Sequence, residues 1–183
     1  MVQHLILITG MPGAGKTSIA NMFKKTGFYI MSMGDVIRDL ANERGLDPSS
    51  SVLGNLAKEI RSHGGDAAVA DLCVDKIQKL SFDKVVIDGI RSIAEVRAFK
   101  TQFNTKLVAI FASFNTRYTR LQSRRRSDDP LDKKTFNKRD QRELSFSMGH
   151  AIALSDYMII NESNIKDLEK EFCNLLEWLE KDD

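Results

Sequence analysis

The chain has 183 residues, 42% of them apolar and 28% charged, with 27 basic against 25 acidic side chains. This fits one compact soluble domain, and the absence of any apolar stretch near the ~18 residues of a membrane span, or of a secretory leader pattern, predicts a cytoplasmic protein without a membrane partner. The formal charge of +2 is too near neutral for a general nucleic-acid binder, yet residues 117–142 carry seven Arg and three Lys against four Asp, so one segment is expected to meet something anionic.

The first apolar run, 5–8, predicts a buried strand. Directly after it comes Gly10-Met11-Pro12-Gly13-Ala14-Gly15-Lys16-Thr17-Ser18, and then the helical spacing of Ile19, Met22 and Phe23. The pattern G-x-x-x-x-G-K-[ST] therefore lies between strand and helix, the context its chemistry requires. Its glycines let backbone N–H groups turn onto phosphate oxygens, and the helix adds its positive N-terminal end. Lys16 is expected to reach the terminal phosphates and Thr17 to ligate Mg²⁺, with ATP or GTP as the nucleotide.

A second strand is predicted at 28–31. The interval 33–83 that follows is too long for a simple connection and reads as two or three helices broken by Gly45, Pro48, Gly64 and Gly65, mounted on the sheet as a functional insertion. The run 85–87 predicts a third strand ending in Asp88, placed to hold the magnesium. Ser92 and Glu95 then form a capping box ahead of a helix carrying Ile93, Val96, Phe99 and Phe103.

A fourth strand is expected at 107–112, a polar arginine-rich functional insertion at 121–145, a fifth strand at 157–160, and an amphipathic helix bearing Leu168, Phe172, Leu175 and Leu179, with Trp178 at its edge. None of the strand patterns alternates, so each is expected to be buried on both faces of a parallel sheet flanked by helices, an α/β fold. Cys73 and Cys173 lie among helix formers and suggest no disulfide or metal site, and His4, His63 and His150 occur singly without ligand spacing.

Taken together these motifs resemble the adenylate kinase branch of nucleoside monophosphate kinases, and the resemblance extends to archaeal adenylate-kinase-related P-loop proteins that share the Asp88-Gly-Ile-Arg91-Ser and Arg126-Ser-Asp-Asp129 stretches. It implies a three-layer P-loop fold with five parallel strands, a helical acceptor-binding insertion over 33–83 and a lid over 121–145. Ser32, Gly34, Asp35 and Arg38 are similar to the acceptor-site motif, with Arg38 and Arg91 gripping the acceptor phosphate. Glu95 stands where adenylate kinases read the acceptor adenine with glutamine, and its ionised carboxylate could only accept hydrogen bonds. Arg120 and Arg124 resemble the pair that opens the lid, the first stacking on the donor adenine. Arg126, Arg139 and Arg142 look like the arginines that close on the transferring phosphoryl group. Asn161 and Ser163 fall in the loop bordering the donor adenine.

The implied activity is transfer of the γ-phosphate of Mg-ATP to a small phosphate-bearing acceptor by a monomeric enzyme. Two alternatives fit the same residues. One is transfer to a hydroxyl, as in dephospho-CoA kinases, with Asp35 as base; the other is an ATPase switch whose lid meets RNA or protein.

Overall fold

Buried strands alternating with helix-length segments close, in the computed structural model, into a five-stranded parallel sheet covered on both faces. The structure describes residue 2 and residues 4–124 and 132–181. The strands are β1 (His4–Thr9), β2 (Tyr29–Ser32), β3 (Lys84–Ile90), β4 (Thr105–Phe111) and β5 (Tyr157–Ile160), and they lie in the order β2-β3-β1-β4-β5. Because all run the same way, the loops that follow them share one edge of the sheet, where ligands of open α/β folds bind.

Alternate side chains of the central strands feed two cores. Leu5, Leu7, Val85, Ile87 and Leu107 face the helices α2 (Met33–Glu43), α3 (Ser50–Gly64), α4 (Ala68–Ile77) and α5 (Ile93–Lys100). Ile6, Ile8, Val86, Val108 and Ile110 face α1 (Lys16–Lys25) and α9 (Ile165–Lys181). Three further helices, α6 (Phe114–Arg124), α7 (Lys133–Ser145) and α8 (Met148–Ala153), lie between β4 and β5. No helix among the described residues is long and apolar enough to cross a membrane.

Two expectations need correction. Burial on both faces holds for the central strands, but β5 is an edge strand whose Met158 and Ile160 are exposed, because among the described residues no helix covers that face at the rim. Within 33–83 the three helices are present, yet α4 is part of the main layer, burying Val69, Ala70, Cys73, Val74 and Ile77 in the same core as the strands. That burial pushes the Cys73 thiol up to about 12, so it behaves as a small apolar side chain. Trp178 packs against Tyr157 of β5 with ring centroids 5.1 Å apart, anchoring α9 at the sheet edge.

Phe23 is fully buried and meets Phe28 and Phe172 edge-on, each with a centroid separation of 4.9 Å. Phe23→Ala is expected to cost about 3–5 kcal/mol of unfolding free energy, read by urea titration.

Candidate active site

β1 delivers the chain into the loop of residues 10–15, and Gly15 turns it into α1. Gly15 has φ +107, and a Cβ there would collide with Nδ2 of Asn161. Gly13 has φ +83, and a Cβ there would lie 2.8 Å from the Arg117 carbonyl. Glycine is thus required on both counts, conformation and space. Thr17 is exposed at the second position of α1, and the Ser18 amide donates to the Gly15 carbonyl at 3.0 Å.

Lys16 folds over the loop and donates from Nζ to the Gly10 carbonyl at 2.7 Å, with the Met11 carbonyl at 3.4 Å. Burial lowers the pKa of its ammonium, opposed by the carboxylate of Asp88; Arg91 and Arg139 act with the burial and Glu143 against it. Five groups, from α1, β3, the turn after β3 and α7, therefore bear on one spot. Asp88 pairs in register with Ser32, at the carboxyl ends of β3 and β2, and burial holds its carboxyl above the ordinary range, with Lys16 opposing and Asp35 reinforcing. Its Oδ1 is buried without a hydrogen-bond partner. A buried, orphaned carboxylate oxygen beside the phosphate loop fits a hydrated Mg²⁺, which prefers one or two protein oxygens together with substrate phosphates.

Ser32 caps α2, its Oγ accepting from the Gly34 amide at 3.2 Å, and this places Asp35 in the first turn of α2. Asp35 and Arg38 are exposed and form an ion pair with each other. Of the two roles expected of Glu95, the structure shows the capping box. Glu95 is fully buried: Oε2 accepts from the amides of Arg91 at 2.7 Å and Ser92 at 3.2 Å, and Oε1 from Arg61 at 3.0 Å. With both oxygens engaged, Glu95 caps α5 and anchors Arg61 instead of reading an acceptor base.

Asn161 also acts from behind the loop. It is buried, donating from Nδ2 to the Ala14 carbonyl at 2.8 Å and from its amide to the Phe111 carbonyl at 2.7 Å. Arg120 donates to the carbonyl and Oδ1 of Asn161 at 2.9 and 3.2 Å and to the Ser163 carbonyl at 3.0 Å, fixing its guanidinium plane against this loop. Arg124 lies in the exposed last turn of α6, Arg139 is half-buried on α7, and Arg142 is exposed and paired with Glu143 at 3.0 Å. Arg126 lies outside the described residues.

Three residues that carry this arrangement are absent from the expected set: Arg117, Asp140 and Glu143. Buried Arg117 holds buried Asp140 through two bonds of 2.9 and 2.6 Å, and also donates to the Pro12 carbonyl at 3.1 Å and the Ala112 carbonyl at 3.2 Å. It thereby ties the phosphate loop, the end of β4 and α7 together. Glu143, also buried, lies 3.5 Å from Arg91. The available signal was the helical spacing of Phe136, Asp140 and Glu143, which marks the buried stripe of α7.

Removing one partner of the Arg117–Asp140 pair leaves an uncompensated buried charge. Asp140→Leu alone is expected to cost about 3–5 kcal/mol in urea unfolding, whereas Arg117→Met with Asp140→Leu costs much less than the sum of the two single changes. Asp88 gives a test with the opposite sign. An acid whose pKa is raised by folding loses stability as pH climbs past its unfolded value, here the ordinary 3.8, because the unfolded chain releases the proton first. Asp88→Asn is therefore expected to be more stable than the parent at pH 7 in urea unfolding, with the difference vanishing below that value.

The chain matches the AAA domain family model over residues 6–143. It is 43% identical to a UPF0200 protein of Methanocaldococcus jannaschii, covering 94% of this chain and 89% of that one, and 42% identical to a counterpart in Methanococcus maripaludis, covering 99% and 100%. Among solved structures, TT1252 from Thermus thermophilus superposes with a TM-score of 0.63 at 16% identity, over 98% of this chain and 99% of that one. The shikimate kinase of Bacteroides thetaiotaomicron does so with a TM-score of 0.67 at 18% identity, over 96% and 98%. These two likenesses show the fold alone, a three-layer α/β arrangement. With relatives matched almost end to end at more than two residues in five, the chain belongs to the UPF0200 family.

Proposed function

We propose that this protein is an ATP-dependent phosphotransferase of the nucleoside monophosphate kinase type, which moves the γ-phosphate of Mg-ATP to a small phosphate-bearing acceptor. The observation that carries the reading is the convergence on the Lys16 ammonium of Asp88, Arg91, Glu143 and Arg139. Phosphoryl transfer demands placement and charge neutralisation more than covalent participation, since negative charge spreads over the equatorial oxygens in the transition state. Lys16 exchanges its carbonyl partners for the terminal phosphate oxygens, and Arg91 and Arg139 flank the group in transit. Thr17 and Asp88 hold Mg²⁺, which supplies charge neutralisation on the phosphates when bound. Arg38, after parting from Asp35, and Arg91 receive the acceptor phosphate. An acceptor phosphate, with its second pKa at ~6, is already ionised and requires no base.

With Glu95 committed to capping, specificity for an adenine acceptor through that position is not part of the proposal. A second reading, transfer to a hydroxyl, is favoured by Asp35, which is close enough to act on Asp88 at the mouth of the site and could accept the hydroxyl proton.

Products of incubation with Mg-ATP and AMP, the other nucleoside monophosphates, dephospho-CoA or no acceptor, resolved by chromatography, test the reading. One phosphorylated acceptor formed far faster than ATP is hydrolysed is the expected outcome, with Lys16→Ala lowering kcat by about 10²–10³-fold and Arg38→Ala raising the acceptor KM while sparing ATP. Turnover of dephospho-CoA lost in Asp35→Asn would establish the hydroxyl reading instead. Equal slow hydrolysis in every tube would overturn both.

A further inference from the structure

Beside the transfer site, and sharing Arg91 with it, lies a cleft of about 400 Å³ between the start of α5 and the α7–α8 junction. Its charge balance is cationic. Arg61, Arg91 and Arg97 line it against the carboxylates of Asp66 and Glu95, and Glu95 is already answered by Arg61 at 3.0 Å and two backbone amides. Arg97 is exposed on α5, and its guanidinium makes no hydrogen bond or ion pair among the described residues.

The wall opposite is built under strain. Ser147 has φ 66, the one non-glycine residue with positive φ among those described, and such conformations persist where the surrounding structure serves a site. This turn directs Phe146 between two guanidiniums, those of Arg61 at 5.5 Å and Arg91 at 5.9 Å from the ring centroid. Two arginines are thereby fixed at one end of the cleft, and Arg97 stands unanswered on the helix that forms its side.

We propose that this cleft is a subsite for a second anionic group of the acceptor, a carboxylate or a second phosphate, held by Arg97 while Arg91 holds the phosphate nearer the P-loop. The inference rests on the phosphotransferase reading and narrows its substrate class to small molecules bearing two separated anions. Guanidinium forks suit either group, since both present paired oxygens.

The test is arginine Nε–H NMR of the full chain saturated with Mg-ADP, titrated with methylphosphonate, with bisphosphonates linked by one to four methylenes, and with phosphonocarboxylates of the same lengths. The expected result is that at least one two-anion probe binds tenfold or more tighter than methylphosphonate and moves the Arg91 and Arg97 resonances along one saturation curve. Arg97→Gln is expected to remove that gain and leave methylphosphonate unaffected; the better of the two probe series identifies the second group. If Arg91 moves while Arg97 stays still, or if no two-anion probe exceeds methylphosphonate, the subsite is overturned and the phosphate-acceptor reading stands. If Mg-ADP leaves the amides of Gly15 and Lys16 unmoved, it is the nucleotide reading that fails, and the Arg97 response to the probes still decides the cleft.

Discussion

The guanidinium of Arg117 is a junction on which the candidate site depends. A permanently charged, five-donor fork is buried at the end of β4, and its acceptors come from three parts of the chain: the Pro12 carbonyl of the phosphate loop, the Ala112 carbonyl and the Asp140 carboxylate of α7. Phe136 packs under it, 5.1 Å from centroid to guanidinium, excluding water from the pair. Burial of such a charge is costly unless each donor is answered, and here the answering groups are the elements that must be held in mutual position. Arg139 and Arg142 flank Asp140 on the same helix, so the pair sets where the arginines of α7 stand relative to Lys16.

Charge in this site is arranged in opposition. Asp88 is kept reluctant to ionise by burial, and Lys16 reluctant to stay charged, while each favours the charged form of the other. Glu143 stands between Arg91 and Arg142 as a buried counter-charge. Cations gathered this closely around the phosphate loop would repel one another without such acids. The acids therefore belong to the cost of preorganising the site, and they explain why a polar stripe is buried on α7 where an apolar one is the rule.

Much of the frame was legible from the chain because it follows from period and punctuation. The apolar runs, the glycine-rich turn and the Ser92–Glu95 capping box each have a local cause, and each appears in place. Asp88 at a strand end was equally local. What escaped was long-range. Arg117 looked like one more charge in a basic segment, since nothing near it in sequence announces that Asp140 waits 23 positions away to bury it. Phe136, Asp140 and Glu143 have helical spacing but the wrong polarity for an apolar stripe, so α7 read as lid with no inner face. Glu95 erred in the other direction: the capping box was evident, but that Arg61 would occupy its remaining oxygen depends on how α3 docks against α5.

The bracket formed by Asn161 has a consequence for how the protein is made. The phosphate loop is finished within the first tenth of the chain, yet the Ala14 carbonyl is answered by a side chain 147 positions later, itself positioned by β5. During synthesis, which proceeds from the N-terminus at about 5–20 residues per second, the glycine-rich turn waits roughly 7–30 seconds for its support. A nascent or truncated chain ending before β5 thus carries the glycine-rich motif without the bracket beneath it.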